Sequence, residues 1–121
     1  MLRSNTMILH IIENKEWQNA IKEGEYSPAS LNTDGFIHCS TLKQTVEIAN
    51  LFFKGATDLK ILCIDEEKTK AKIVYEDTEN FGQLFPHLYG VLNLDAVFKV
   101  VDFNSNENGE FVLPGELVEL G

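Results

Sequence analysis

The apolar positions in the first third of the chain change from a strand-like run to helical spacing. Residues 7–12 are apolar on both faces except at His10, which predicts an interior β-strand. Asn14 follows as the expected cap of a helix over residues 14–23, and Gly24 occupies the position of a left-handed C-terminal residue. Residues 25–34 are rich in turn formers, so we predict a loop there.

The segment Gly35–Thr41 has the sequence GFIHCST and predicts a turn, a short strand and the start of a helix. Alternation places Phe36 and His38 on one face of that strand. The helix is expected to begin within the last two residues of the segment, with Gln44 closing a capping box. We expect it to end at residues 54–55, where a lysine precedes a glycine.

Strand-like patterns dominate the second half of the chain. A continuous apolar run predicts a central strand, alternation predicts further strands, and an Asn-Gly turn predicts a C-terminal hairpin. The predicted strands are 59–64, 72–75, 95–103 and 111–113. Residues 76–83 are expected to form a polar loop and residues 84–90 an irregular segment, because Pro86 and Gly90 punctuate it. Helices grouped ahead of a run of strands predict an α+β fold, with mostly antiparallel strands and two helices near the N-terminus.

The composition is that of one globular domain. The 121 residues carry 10 Lys+Arg against 19 Asp+Glu, and the net charge of -9 argues against general binding to nucleic acid or to an anionic membrane. We predict a loose N-terminal extension over residues 1–6 and a single globular domain over residues 7–121. No apolar run is long enough for a bilayer, and the N-terminus lacks a signal-peptide segment, which predicts a cytoplasmic location.

All three histidines lie in apolar segments beside turn residues: His10 in ILHII, His38 in GFIHCST and His87 in FPHLYG. We expect these segments to meet and to form a site. The histidines lack the close pair that zinc sites commonly use, which leaves a metal site as a minor alternative. Both cysteines lie in apolar runs and are expected to be buried thiols.

Two nucleophilic or acid–base alternatives can be set aside from the spacing. His38 and Cys39 are neighbours on a strand and point to opposite faces, so this histidine does not activate that thiol. His38-Cys39-Ser40 resembles half of the paired His-x-Ser/Thr arrangement of phosphoesterases, but residues 10–12 do not supply the second copy.

A polar cleft for a nucleotide-like or sugar-like ligand is the alternative that remains. Neutral imidazoles on adjacent strands can hydrogen-bond ribose hydroxyls, while aromatic rings hold a flat base. His10 and His38 are the expected catalytic and ligand-contacting residues. Ser40 is expected to add a hydroxyl contact, and His87 and Tyr89 to form a lid or wall. The opposing interpretation is that each histidine is an ordinary core or loop residue.

These motifs together resemble the small bacterial family called domain of unknown function 952. The resemblance covers roughly residues 7–103 and rests on the first-strand histidine, the helix with its tryptophan and terminal glycine, GFIHCST, ANLFF, LCID and FPHLYG. That family is similar in fold to the ADP-ribosyltransferases, including RNA 2'-phosphotransferases and poly-ADP-ribose polymerases, which bind NAD between two small sheets of a split barrel. The resemblance therefore implies an ADP-ribosyltransferase-like split barrel with NAD as its cofactor.

The resemblance also assigns roles to residues. The first-strand histidine of those enzymes contacts an NAD ribose, and a residue of the second motif lies near the nicotinamide; these positions match His10 and His38. Two features depart from the pattern: Ile11 stands where a glycine often follows, and the glutamate of the third motif has no clear counterpart. Glu76 and Glu79 are nearest, and we predict both to be solvated loop charges.

A missing carboxylate removes a stabiliser of the ribosyl cation, so the resemblance favours ligand binding over catalysis. The expectation is an ADP-ribosyltransferase-like domain that binds NAD or an ADP-ribose-bearing ligand, with transferase activity open. The alternatives are a non-catalytic binding or interaction module and a metal-dependent enzyme that uses the three histidines.

Overall fold

The computed structural model describes residues 7–118, and within them eight strands form three antiparallel sheets. The sheet orders are β1-β4-β8, β2-β7 and β3-β6-β5. The strands are β1 (Met7–Glu13), β2 (Glu25–Tyr26), β3 (Ile37–His38), β4 (Leu59–Asp65), β5 (Lys72–Glu76), β6 (Phe85–Tyr89), β7 (Leu92–Asn93) and β8 (Val97–Phe103). The helices are α1 (Asn14–Glu23), α2 (Ser30–Thr33), α3 (Thr45–Phe52) and α4 (Gly115–Val118), and short 3-10 turns cover Glu66–Lys68 and Leu94–Ala96.

The sheet β1-β4-β8 separates two apolar clusters. Alternate residues of β1 enter opposite clusters: Ile8 and Ile12 pack with α1 and the two smaller sheets, whereas Leu9 and Ile11 pack with α3 and the C-terminal segment. The prediction that β4 is central is confirmed. The prediction that β1 is interior is wrong, because β1 lies at the edge of its sheet and, within residues 7–118, its outer side makes only the bridge between Leu9 and Ser40. Its apolar character comes from burial of both faces.

The segment GFIHCST joins two of the sheets. Ile37 and His38 pair with Leu88 and His87 of β6. Two residues later, Ser40 exchanges both backbone hydrogen bonds with Leu9 of β1, each 2.8 Å long. The three histidine-bearing segments therefore meet in the backbone itself, as we expected from the sequence.

The segment over residues 84–90 is a regular strand, which corrects the prediction of an irregular one. Residues 85–89 form the middle strand of their sheet, with β5 on one side and β3 on the other. Pro86 is tolerated because β3 ends at His38, so the ladder on that side stops beside the proline, and the Pro86 carbonyl still accepts a bond from the Cys39 amide at 3.1 Å. Gly90 lies directly after the end of the strand and does not interrupt it.

The two predicted helices are confirmed with shifted starts. Asn14 is the first residue of α1 and not its cap, and Gly24 closes the helix with a φ of 86°. Trp17 and Ala20 are buried, but Ile21 is exposed. Helix α3 begins only at Thr45, although the Gln44 side chain does accept the Thr41 amide at 3.0 Å, as the capping box predicts.

Three further differences lie in segments whose pattern was weak. The loop over residues 25–34 contains the short strand β2 and the single turn of α2. Residues 111–113 do not form the predicted strand, and the Asn50 side chain of α3 bonds the Phe111 backbone in place of a strand partner. The charged composition of residues 65–70 predicts a solvated turn, but the segment begins with Asp65 buried at the end of β4.

The observed class is α+β with antiparallel sheets, as predicted. In residues 7–118, no helix combines the length and the apolar character that crossing a membrane requires. The extension predicted over residues 1–6 falls outside the described range.

Candidate functional site

A cavity of about 590 Å³ lies where the three histidine-bearing segments meet. Its volume is within the range of about 300–1,000 Å³ that is typical of small-molecule sites. Most of its wall is apolar and aromatic, and several polar groups converge on it. The lining includes all three histidines together with Leu9, Ile11, Ile12, Tyr26, Pro28, Ala29, Ser30, Cys39, Ser40, Ile48, Phe52, Phe53, Thr78, Phe81 and Phe85, and the carboxylates Glu13, Glu16 and Glu79.

Both ring nitrogens of His10 are hydrogen-bonded. Nδ1 donates to the His38 carbonyl at 2.6 Å, and Nε2 then accepts the Tyr26 hydroxyl at 3.0 Å. Burial lowers the pKa of His10 to about 4, from its ordinary 6.5. The ring is therefore neutral near pH 7, and a ligand that bonds to Nε2 has to displace Tyr26.

His38 stands at the mouth of the cavity. Its Nε2 donates to the Asp34 carboxylate at 2.7 Å, and its side chain is 46% exposed. The bond spans the turn at Gly35, whose φ of 87° lets the chain bring Asp34 back toward the strand. This pairing leaves Nδ1 of His38 as the ring nitrogen with no partner in residues 7–118.

His87 lies deeper in the cavity wall. The residue is only 3% exposed, and its Nδ1 donates to Oε2 of Glu76 at 2.8 Å. The Tyr89 hydroxyl donates to the same oxygen. The Tyr89 bond, followed by the His87 bond, holds the pKa of Glu76 below its ordinary value. Glu76 is therefore a β5 residue that orients an imidazole, which corrects its interpretation as a solvated loop charge.

The Phe36 ring packs against the imidazoles of His38 and His87, the two cavity histidines of the sheet β3-β6-β5. It stacks on His87 with ring centroids 3.9 Å apart and an interplanar angle of 12°, and it contacts His38 at 4.7 Å. Phe36 is 5% exposed and follows directly after the turn at Gly35. The predicted sharing of one strand face by Phe36 and His38 is thus confirmed.

Ser40 and Cys39 also contribute to the wall. The Ser40 hydroxyl bonds the Thr45 hydroxyl at 2.6 Å, and Ser40 and Thr45 are both buried. Burial raises the pKa of the Cys39 thiol to about 12, so the thiolate is scarce at neutral pH and the thiol is a poor nucleophile.

Apart from the three imidazoles, the side chains of the cavity wall that carry charge near pH 7 are carboxylates. Glu13, Glu16 and Glu79 line it, whereas no Lys or Arg of residues 7–118 does. Burial, with the charge of Glu13 as a second cause, raises the pKa of Glu16. In the same part of the chain, no group of three or more His, Cys, Asp or Glu side chains is arranged to hold a metal ion.

The predicted site residues are placed as follows. His10, His38, Ser40 and His87 line one cavity, whereas Tyr89, which donates to Glu76, is outside the lining. Sequence reasoning missed Asp34, Phe36 and Tyr26 as parts of the site. Asp34 had a usable signal, since it stands four residues before His38 across a glycine turn. Tyr26 had none, because its contact with His10 depends on the pairing of β2 with β7.

Comparison with known proteins finds solved structures of a relative of similar length and the same fold. The crystal structure of protein CC0527 from Caulobacter crescentus is 31% identical, with a TM-score of 0.83 over 93% of this chain and 99% of that one. A double mutant of CC0527 gives the same values. The solution NMR structure of CC0527 matches with a TM-score of 0.76 over 87% of this chain and 90% of that one. No curated protein matches the chain.

A family model described as "Protein of unknown function (DUF952)" matches residues 11–100. The matched range contains β3, β6 and the last three residues of β1, and with them two of the three cavity histidines, His38 and His87. It spans more than half of the chain, and the resemblance noted in the sequence is confirmed at the level of this family. The chain therefore belongs to the DUF952 family.

Proposed function

We propose that the cavity binds the ribosyl part of a nucleotide-like ligand, NAD or an ADP-ribose-bearing molecule. The observation that carries the proposal is the convergence of His10, His38 and His87 on one cavity with an aromatic wall. His38 and His87 each have one ring nitrogen without a partner in the described range, and these nitrogens can hydrogen-bond ribose hydroxyls. Phenylalanine rings of the wall can pack on a planar base. A wall of this kind, mostly apolar with a few convergent polar groups, is typical of small-molecule sites.

The acidic wall restricts how such a ligand would lie. No Lys or Arg of the described range lines the cavity, and Glu13, Glu16 and Glu79 do. A diphosphate would be repelled inside and is expected at the mouth, in water, with the ribose and base turned inward. Carboxylates near a ribose would also stabilise positive charge at its anomeric carbon, which is the charge that ADP-ribosyl transfer develops.

The experiment is a titration of the full chain with NAD and with ADP-ribose, followed by the NMR resonances of the histidine side chains. We expect saturable shifts at His38 and His87 in the wild type and weakened binding in His38→Ala. Lys99→Ala is the matched control, because Lys99 lies on β8 and outside the cavity lining, and it should bind as the wild type does. Unchanged resonances of all three histidines at millimolar ligand would overturn the proposal.

A further inference from the structure

Two histidine–carboxylate pairs lie side by side in the sheet β3-β6-β5. His38 bonds Asp34 at 2.7 Å, and His87 bonds Glu76 at 2.8 Å. The two histidines are direct register partners, and their ring centroids are 5.5 Å apart. A carboxylate on one ring nitrogen fixes the tautomer and leaves the other nitrogen to exchange a proton with a ligand. The arrangement thus supplies two proton-transfer groups on one cavity wall.

Both free nitrogens are accessible. His38 is half exposed, and its Nδ1 has no partner in residues 7–118. His87 is nearly buried but lines the cavity, and its Nε2, which has no partner in the described range, is not fully buried. Phe36 packs on both rings, so neither can turn away without breaking an aromatic contact.

The charge of the wall indicates which bond such a pair would break. Phosphoryl transfer concentrates negative charge and is served by cationic side chains such as Lys and Arg, and no Lys or Arg of the described range lines the cavity. Cleavage at the anomeric carbon of a ribose develops positive charge, which nearby carboxylates stabilise. The wall with Glu79 therefore favours glycosidic chemistry.

The need for an acid narrows the substrate further. The nicotinamide of NAD departs as a neutral molecule and takes up no proton. An alkoxide leaving group is a poor one until it is protonated, so a general acid accelerates its departure. Cleavage of an O-linked riboside therefore uses both proton-transfer groups, whereas cleavage of NAD does not need the general acid.

Resting on the proposed ribosyl site, we infer that His38 and His87 are a general acid–base pair that hydrolyses an O-glycosidic ADP-ribosyl linkage. The bond between the anomeric carbon and the leaving oxygen breaks, and a bond from that carbon to a water oxygen forms. One neutral imidazole accepts a proton from the water, and the other imidazolium gives a proton to the leaving alcohol. The products are ADP-ribose and the free alcohol, and one proton passes between the rings through solvent to reset the pair.

Asp34, Glu76 and Tyr89 are positioning residues in this account. Asp34 and Glu76 each hold one imidazole, and Tyr89 bonds the Glu76 oxygen that His87 also uses. Removing the Tyr89 hydroxyl should leave the fold intact and move one limb of the pH–rate profile. A purely structural role for Tyr89 would not move it.

The test uses the full chain and a peptide ADP-ribosylated on serine, with released ADP-ribose followed by mass spectrometry. We expect release with a bell-shaped pH profile and a loss of about a hundredfold or more in His38→Asn and in His87→Asn. His38 is exposed, so its variant should fold, and retained ADP-ribose binding by each variant separates lost chemistry from lost structure. Tyr89→Phe should shift one limb of the profile, whereas Tyr75→Phe, on β5 but outside the lining, should not.

The failures are distinguishable. An intact peptide together with saturable ADP-ribose binding overturns the acid–base pair and leaves the proposed ligand site standing. Nicotinamide release from NAD with the peptide intact overturns the substrate class, and cleavage of bis(p-nitrophenyl) phosphate overturns the glycosidic argument. Absence of ADP-ribose binding overturns the proposed function and this inference together.

Discussion

His38 and His87 are opposed across the β3–β6 ladder, and the backbone carbonyl of His38 also receives the Nδ1 proton of His10. His38 is therefore the residue through which the three histidine-bearing segments are connected. Its backbone belongs to one sheet, and its neighbour Ser40 pairs with the other. Because strands carry all three histidines, the relative positions of the imidazoles should persist without a ligand.

The neutral state of His10 predicts a pH-dependent contribution to stability. Its pKa is about 4 in the folded protein against 6.5 in an ordinary environment, so the unfolded chain binds an extra proton between these values. Stability from this group is complete above pH 6.5 and falls as the pH drops toward 4, by on the order of 3 kcal/mol for a shift of that size. Urea unfolding across this range should show the loss in the wild type.

His10→Asn keeps a donor near the Nδ1 position and removes the titration. The difference in unfolding free energy between variant and wild type should narrow as the pH falls from 6.5 to 4. A difference that stays constant over this window would mean that His10 is not held neutral in the folded chain.

Tyr89→Phe should raise the pKa of Glu76. The Tyr89 hydroxyl bond is the largest cause that lowers this pKa, so its removal moves the carboxyl toward its ordinary value. Carboxyl carbon resonances followed by NMR against pH give the measurement. Tyr75→Phe is the matched control, since Tyr75 donates to Glu66 and should leave the Glu76 pKa unchanged. Equal Glu76 titrations in both variants would contradict the arrangement.

Asn50→Ala should destabilise the fold by about 2 kcal/mol, because it leaves two backbone groups of Phe111 without their partners. The Asn50 side chain accepts the Phe111 amide at 2.8 Å and donates to its carbonyl at 3.1 Å. This holds the Phe111 ring against Phe103, 4.8 Å away between centroids. Chemical denaturation measures the change. Asn19→Ala, at an exposed position of α1, should cost less than about 0.5 kcal/mol, and a similar cost for both would contradict the role of Asn50.

Gly90→Ala should also destabilise the protein, by about 1–3 kcal/mol. Gly90 has a φ of 156°, and an added Cβ would lie 2.8 Å from the Ala71 Cβ, closer than two carbon atoms pack. Thermal unfolding should show a lower midpoint than in the wild type. Gly115→Ala meets no atom within 4 Å and should leave the midpoint nearly unchanged. The prediction fails if the two alanine variants melt together.

The local sequence pattern was sufficient to predict the elements whose burial follows the periodicity of their own residues. The central strand β4 and the side-chain alternation in GFIHCST follow from apolar periodicity, and both are observed. The capping contact of Gln44 also follows from a local rule. For these elements, the residue type at each position follows directly from whether that face of the element is buried.

The predictions were wrong where the structure of a segment depends on residues that are distant in the sequence. Pro86 suggested a broken segment, but a proline is harmless at the end of a ladder, and the short β3 provides that end. Phe111 suggested a hairpin strand, but an asparagine side chain from α3 satisfies its backbone instead. The role of Glu76 depends on its pairing with residues of β6, which no local spacing reveals.

The most direct test of the ligand site is a set of nuclear Overhauser contacts in the complex with ADP-ribose. The account predicts contacts from ribose protons of the ligand to ring protons of His38 and His87, with the Phe36 resonances shifted as well. The cavity assignment would be contradicted by saturated ligand whose contacts lie on another face, or by ring protons that show no ligand contact at all.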